Sequence, residues 1–378
     1  MKIAFDLVSA THGGGFSTYN KNIFKQLLLD NSNKDQDYFI FTNDRTAKSN
    51  KKNINLIYIS NRFSNTYLRF FWIQFILPIH LFYRNIDSLF SPMNILPIFL
   101  KYFNIKKILV IHSNLIWLYP EDMPGNKIKL VIQKLFTNIS INIADKIIVD
   151  SEIAKKELIT IFNKIKNKVE TVYLGADNNL SFKLTKNNNV NFSEINIIDD
   201  TFFLTISSAV RYHCINELII AYNELCEKYD DIPKYLILSK NLDKAYFMDV
   251  KKTISLSKFS KKIVFMEDVD TTTIPLIYKN SSLYIFSSYC EVFGLTNLEA
   301  MFYEVPVITS NRSAIPEICG NAAVYFDPKD TTSIKNKILD VYFDDELQKE
   351  MIRKGKEQVR KFTWLATYNQ TKNIILNA

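Results

Sequence analysis

Residues 287–328 of the 378-residue chain read SSYCEVFGLTNLEAMFYEVPVITSNRSAIPEICGNAAVYFDP. The stretch follows a predicted strand and contains Glu291 and Glu299, which are separated by seven residues. Between them, Gly294 allows the backbone to come close to a ligand. A helix is predicted to begin just beyond this glycine, and helix N-termini offer backbone N–H groups and a positive dipole end. The pattern therefore predicts a diphosphate site flanked by two carboxylates, each of which accepts hydrogen bonds from hydroxyl groups.

Short β-branched runs alternate with helical stretches on both sides of an Asn-rich segment. The predicted strands are Lys2–Leu7, Tyr38–Thr42, Ile54–Ile59, Ser88–Phe90, Lys107–Ile111, Lys146–Val149, Glu170–Tyr173, Phe202–Ser207, Tyr235–Leu238, Ile263–Phe265, Leu283–Phe286, Pro306–Ile308 and Ala323–Phe326. This alternation indicates two α/β domains, each with a doubly wound parallel sheet. Ligands of such sheets bind at the carboxyl ends of the strands, and a cleft between two facing domains is the expected site.

The domain boundaries follow from composition. Residues 1–177 form the first predicted domain, and 201–361 form the second. Residues 178–200 are rich in Asn and poor in apolar residues, so they are the predicted linker.

The positive charge is concentrated in the first half of the chain. Residues 1–180 carry 23 Lys and Arg against 14 Asp and Glu, whereas residues 181–378 carry 24 against 25. A negatively charged partner is therefore expected to meet the first half. No basic run alternates with aromatic residues as a nucleic-acid groove requires, so an anionic membrane surface is favoured over nucleic acid.

No metal site is expected from the sequence. The four cysteines are scattered without a C-x-x-C pair, and no His, Asp and Cys cluster has zinc spacing. The acids Asp268 and Asp270 are expected to cap a helix. Absence of a disulfide framework favours a reducing compartment, the cytoplasm.

The segment Leu68–Tyr83 reads LRFFWIQFILPIHLFY and is almost wholly apolar. It is too short, and too interrupted by Pro78 and His80, to span a bilayer. Two alternatives remain open: a buried helix packed on the sheet, or an interfacial or acceptor-facing helix.

Two further signals lie in the first half. Gly13, Gly14 and Gly15 follow the first predicted strand and precede a helix, an arrangement that permits close approach to phosphate or sugar. The spacing does not fit a dinucleotide fingerprint. His112 follows the apolar run Ile108–Ile111, at the carboxyl end of a buried strand where side chains face a cleft.

Residues 287–328 strongly resemble the E-x7-E region of family-4 retaining glycosyltransferases, and the resemblance extends from the glycine loop to Trp364. It implies a GT-B fold, in which two Rossmann-like domains face each other. Glu291 is then expected to hold hydroxyls of the donor sugar, and Glu299 the ribose of the nucleotide. The backbone amides of Phe293, Gly294 and Leu295 are expected to line the same pocket.

The resemblance also assigns roles outside this region. His112 is implied to lie beside the reacting sugar, and the loop Gly13–Gly15 to close over the donor phosphates and the acceptor. The first domain is implied to bind the acceptor and the second the nucleotide sugar. The final helix, about 362–378, is implied to return to the first domain.

The diphosphate contacts depart from the family pattern. Ser208 stands where many members have Arg, and His213 stands where Lys is usual. Arg211 is close and is expected to substitute, because without a metal a cation must stabilise the leaving diphosphate.

The implied function is metal-independent transfer of a sugar from a nucleotide sugar to a glycan or lipid-linked acceptor, with retention of configuration. Surface polysaccharide or lipopolysaccharide assembly is the expected setting. Two alternatives stay open. The altered cations suggest a non-catalytic homologue that acts as a partner subunit, and other GT-B enzymes include nucleotide-sugar epimerases and phosphorylases.

Overall fold

A computed structural model of the chain describes residues 1–8, 15–32, 35–176, 201–267, 269–270 and 272–378. The chain divides into two compact units. The first unit consists of Met1–Leu118, Asn126–Gly175 and Trp364–Ala378, and the second of Tyr119–Gly125 and Ala176–Thr363. The predicted linker, 178–200, lies outside the described residues.

The first unit is built on a seven-stranded parallel sheet. Its strands are β1 Lys2–Asp6, β2 Asp37–Thr42, β3 Ile54–Tyr58, β4 Ser88–Ser91, β5 Lys106–Ile111, β6 Lys146–Val149 and β7 Val169–Thr171. Their order is β3-β2-β1-β4-β5-β6-β7, so the sheet is wound in both directions from β1. The predicted doubly wound sheet is confirmed, and its switch point lies between β1 and β4.

Helices cover this sheet. They are α1 Gly15–Leu29, α2 Thr66–Phe71, α3 Leu77–Tyr83, α4 Leu115–Leu118, α5 Lys127–Ile143, α6 Glu152–Ile161 and the C-terminal helix Trp364–Leu376. The C-terminal helix packs on α1, where the buried Trp364 meets the Tyr19 ring edge to face at 5.9 Å. Lys372 forms an ion pair with Asp30 at 2.8 Å. These contacts join the end of the chain to its beginning within the first unit.

The apolar segment at 66–83 is helical but not wholly buried. A π-helical turn, Trp72–Ile76, separates α2 from α3. Trp72, Leu77 and Leu81 are buried, whereas Phe75 and Ile79 are 50% and 58% exposed. The prediction of a buried helix is therefore wrong for one of its faces. In the ranges that the structure describes, no helix has the length and apolar character to cross a membrane.

A buried polar group fixes this segment to the sheet. Asp6, at the carboxyl end of β1, is fully buried and accepts hydrogen bonds from Arg69 Nη2 at 3.4 Å and Trp72 Nε1 at 3.2 Å. Burial raises the pKa of the Asp6 carboxyl, and the Arg69 charge opposes that shift. A buried pair of this kind is costly to break, because the remaining charge has no partner.

We predict that Arg69→Met destabilises the first unit by about 3–5 kcal/mol, since it leaves Asp6 buried without its counter-charge. The double variant Asp6→Asn/Arg69→Met should recover much of this loss. All three tryptophans, Trp72, Trp117 and Trp364, belong to the first unit, so tryptophan emission during urea unfolding reports on it. A single variant that unfolds at the wild-type urea concentration contradicts the prediction.

The second unit is built on a six-stranded parallel sheet. Its strands are β8 Phe202–Ser208, β9 Lys234–Lys240, β10 Ile263–Glu267, β11 Ser281–Phe286, β12 Val307–Ser310 and β13 Ala323–Phe326. Their order is β10-β9-β8-β11-β12-β13, which again is doubly wound. The direction of winding reverses between β8 and β11, so ligand-binding loops are expected where these two strands end.

The helices of the second unit connect successive parallel strands and extend beyond the last one. They are α7 Ile215–Lys228, α8 Lys244–Leu256, α9 Ile274–Asn280, α10 Leu295–Phe302, α11 Ile315–Cys319, α12 Thr331–Tyr342 and α13 Asp345–Val359. An apolar core lies under α7, α8 and α12, and includes Phe203, Leu218 and Ile338. This packing holds the ends of β8 and β11 in place.

Candidate active site

The loop after β11 carries Glu291 to the N-terminus of α10. Gly294 precedes the helix with φ +83°, a conformation that L-residues with a side chain rarely adopt. A Cβ atom there would lie 3.0 Å from the buried Asn297 amide nitrogen. The position therefore needs glycine, and the bend places Phe293 directly before the first turn of the helix, where the Asn297 N–H donates to the Gly294 carbonyl. The helix begins at Leu295, one or two residues before the start expected from the sequence at about Thr296 or Asn297.

Glu291 contacts His213, which follows β8. Nε2 of His213 lies 3.1 Å from Oε1 of Glu291, and Nδ1 lies 2.7 Å from the carbonyl oxygen of Ser208. A carbonyl oxygen only accepts, so Nδ1 donates its hydrogen there. Nε2 is thus the ring nitrogen that faces the Glu291 carboxylate, at the position where the resembled family has Lys.

The structure therefore brings together two of the predicted residues, one from each side of the switch point. A second hydrogen bond joins the loops that follow β8 and β11. The Ser287 hydroxyl donates to the His213 carbonyl at 2.5 Å. Arg211 lies in the same turn as His213 with an exposed side chain, and it makes no ion pair with any residue that the structure describes. Ser208 contributes its carbonyl oxygen rather than a charge.

Glu299 lies on α10 against a group of tyrosines. Its Oε2 accepts a hydrogen bond from the hydroxyl of Tyr278 at 3.2 Å, and Tyr278 stacks on Tyr303 at 5.4 Å. Burial raises the pKa of Glu299 to about 7, while the hydrogen bond from Tyr278 opposes the rise. Glu299 is therefore protonated in a large share of molecules at neutral pH.

His112 lies at the carboxyl end of β5 in the first unit, as predicted from the apolar run before it. Its Nδ1 is 2.8 Å from Asp150 Oδ2, and both side chains are more than 90% buried. The rings of Phe16 and Tyr19 meet the imidazole edge to face at 5.1 and 4.6 Å. Nε2 is buried, and it has no hydrogen-bond partner within the described ranges. Asp150 therefore holds the ring hydrogen of His112 on Nδ1, and Nε2 remains available to a ligand.

Part of the predicted site lies outside the described residues. Gly13 and Gly14 fall there, as does Asp268. Gly15 is the first residue of α1, where a Cβ atom would meet no atom within 4 Å. Among the residues that are described, no group of three or more His, Cys, Asp or Glu side chains has an arrangement that holds a metal ion.

Comparisons with known proteins identify the chemistry. The family model described as Glycosyl transferases group 1 matches residues 188–358. O-antigen chain mannosyltransferase B of Escherichia coli is 24% identical over 263 residues, which cover 69% of this chain and 68% of the relative. The capsular polysaccharide biosynthesis glycosyltransferase CapM of Staphylococcus aureus is 24% identical over 61% of each chain.

Solved structures show which fold the chain has. HepE of Anabaena in complex with UDP-glucose superimposes with a TM-score of 0.75 over 100% of both chains, at 14% identity. A glycosyltransferase from Rickettsia africae gives a TM-score of 0.69 over 99% of this chain and 97% of its own, at 18% identity. The chain is a glycosyltransferase with the GT-B fold. The resemblance found in residues 287–328 is thus confirmed at the level of group and fold, and the assignment to family 4 stays a prediction.

Two neighbours of predicted site residues, one in each unit, were missed by sequence reasoning. Asp150 contacts His112, and Tyr278 contacts Glu299. The sequence does contain a signal for Asp150. It directly follows β6 just as His112 directly follows β5, and parallel neighbouring strands bring such residues side by side. Tyr278 lies on α9, and no spacing in the sequence relates it to α10.

We predict that Glu299 makes the stability of the second unit pH-dependent. Its pKa of about 7 in the folded state exceeds the ordinary value of 4.5, so the folded state binds this proton more tightly. The resulting stabilisation is complete below pH 4.5 and is lost as the pH rises through 7, a change of about 3 kcal/mol. Glu299→Gln should therefore be stabilising relative to wild type at pH 8 and much less so at pH 5, as measured by calorimetric unfolding.

Glu267→Gln is the matched control for this experiment, because Glu267 is exposed at the end of β10. It should follow the wild-type pH dependence. If Glu299→Gln follows it too, the assigned pKa of Glu299 is wrong.

Proposed function

We propose that this glycosyltransferase moves a sugar from a nucleotide-sugar donor to a glycan or lipid-linked acceptor, with retention of configuration and without a metal ion. The proposed setting is surface polysaccharide assembly on the cytoplasmic side of a membrane. The names of the relatives support this setting, since they include O-antigen and capsular polysaccharide enzymes. The bound UDP-glucose in the HepE structure supports a nucleotide-sugar donor.

The observation that carries the proposal is the pairing of Glu291 with His213 beside the Gly294 bend. A nucleotide sugar presents hydroxyl groups next to a diphosphate, and here a carboxylate lies next to an imidazole and a helix N-terminus. We assign the donor-sugar hydroxyls to Glu291 and the diphosphate to the amides of Phe293, Gly294 and Leu295.

The remaining donor contacts follow from charge and position. The diphosphate needs cations because charge accumulates on it as the sugar leaves. Arg211 and His213 supply them, and the exposed Arg211 side chain is able to turn toward a ligand. Glu299 binds the ribose hydroxyls, and as a group with a pKa of about 7 it both donates and accepts hydrogen bonds.

In the proposed reaction, the bond between the sugar C1 and the diphosphate oxygen breaks through an oxocarbenium-like state. The acceptor oxygen bonds to C1 from the same face, and its proton passes to the departing diphosphate oxygen. Configuration is thereby retained, and no group on the protein has to gain or lose a proton. His112, oriented by Asp150, contributes its free Nε2 to the acceptor side together with Gly13, Gly14 and Gly15.

We expect Glu291→Gln to lower kcat/KM by about two to three orders of magnitude, because the amide loses both the charge and one acceptor oxygen. The measurement is release of nucleoside diphosphate from a panel of UDP- and GDP-sugars, with and without bacterial lipid-linked acceptors. Glu267→Gln is the control and should turn over like wild type. Unchanged turnover in Glu291→Gln contradicts the donor site, and turnover that needs no acceptor indicates an epimerase or hydrolase instead.

The role of His213 as a cation is tested in the same assay. His213→Lys restores the residue that is usual in the resembled family and should retain transfer, whereas His213→Gln should lose it. Equal activities of the two variants would mean that charge at this position is not used.

We expect Asp150→Asn to reduce kcat by about two orders of magnitude or more while the KM for the donor stays unchanged. An Asn amide donates to Nδ1 and so moves the ring hydrogen to Nε2, the wrong tautomer for the free nitrogen. The matched control is Asp37→Asn, an exposed aspartate at the start of β2 in the same sheet. If Asp37→Asn loses as much activity, or if Asp150→Asn unfolds at a lower temperature than wild type, the role of Asp150 is structural only.

A further inference from the structure

Exposed apolar side chains are concentrated on one part of the first unit. Of 24 large apolar residues that are exposed in the described ranges, 14 lie in three stretches: 66–83, 98–103 and 127–135. We call the exposed side of these stretches the apolar face. Soluble proteins seldom expose so many large apolar side chains together unless the surface binds something.

The three stretches form one continuous surface. Phe70 in α2 meets Phe136 in α5 edge to face at 4.5 Å. Gln74 accepts a hydrogen bond from the Ile98 amide and donates to the Leu96 carbonyl, both at 3.0 Å. These buried contacts hold the helices at fixed positions behind the apolar face.

The helix α5 has separate exposed and buried sides, and its exposed side is apolar. Ile128, Val131, Ile132 and Leu135 follow helical spacing on one side and are 47–71% exposed. Thr137, Ser140 and Ile141 of the same helix are buried. A helix with an apolar stripe on its solvent side has the form of an interfacial helix.

The charged residues within the elements of the apolar face are all cations. The ranges 66–84, 98–106 and 127–143 contain seven Lys and Arg and no Asp or Glu. Arg69 is buried against Asp6, and the other six are at least partly exposed. They are Arg84, Lys101, Lys106, Lys127, Lys129 and Lys134. Exposed apolar side chains interspersed with cations complement a bilayer with anionic headgroups.

We propose that the apolar face docks on a membrane containing anionic lipids, with α3 and α5 lying in the interface and the lysines at the headgroups. A second copy of the chain is disfavoured as the occupant, because pairing two such faces would bring like charges together. The docking does not rest on the proposed donor or acceptor, since lipid binding is measured without any sugar.

Co-sedimentation of the full chain with vesicles tests the docking. Wild type should pellet with vesicles of phosphatidylcholine mixed with phosphatidylglycerol, and much less with phosphatidylcholine alone. Added salt should weaken the binding. Lys127→Gln/Lys129→Gln/Lys134→Gln should lower the partition coefficient about a hundredfold, at about fivefold for each lysine near the surface. Ile79→Ser/Ile128→Ser/Val131→Ser should lower it about tenfold or more.

Matched controls come from the second unit. Lys244→Gln/Lys252→Gln/Lys261→Gln removes three exposed charges, and Leu242→Ser/Met248→Ser/Leu256→Ser removes three side chains that are 56–75% exposed. Both should bind vesicles like wild type. The proposal is overturned if wild type stays in the supernatant, if it prefers neither vesicle, or if the face variants pellet like their controls. It is also overturned if light scattering shows a dimer that the Ile79 triple variant dissociates.

Discussion

Nε2 of His213 lies 3.1 Å from Oε1 of Glu291, while the other ring nitrogen donates to the Ser208 carbonyl. The two residues follow β8 and β11, the strands between which the sheet reverses its direction of winding. Parallel neighbours end at the same edge of a sheet, so the fold itself keeps the pair in contact. An imidazole and a carboxylate are thereby held next to the Gly294 bend, where a helix N-terminus contributes a positive dipole end.

Much of the fold could be predicted, because parallel strands that are buried on both faces leave a strong apolar signal in the sequence. Most predicted strands match the observed ones to within two residues, and His112 and Glu291 follow β5 and β11 as expected. What the sequence does not encode locally is the partner of each side chain. Asp150 and Tyr278 reach the site through strand register and helix packing, and the exposed side of 66–83 depends on which stripe of a nearly uniform apolar segment faces the sheet.

The two units differ in surface chemistry in a way that suits the proposed division of tasks. The surplus of positive charge belongs to residues 1–180, and the apolar face lies within it. Residues 181–378, which include nearly all of the second unit, carry nearly balanced charges. A lipid-linked acceptor is confined to a membrane, whereas a nucleotide sugar diffuses freely in water. A basic first unit with an apolar face and a nearly neutral second unit suit the proposed acceptor and the proposed donor, respectively.

The most direct test of the account is a crystal structure of the chain with an intact nucleotide sugar. The diphosphate is predicted within hydrogen-bond distance of the Phe293–Leu295 amides, with Glu291 on the sugar hydroxyls and Glu299 on the ribose. A nucleotide sugar bound elsewhere, with the His213–Glu291 pair unchanged and Glu299 still held only by Tyr278, would contradict it.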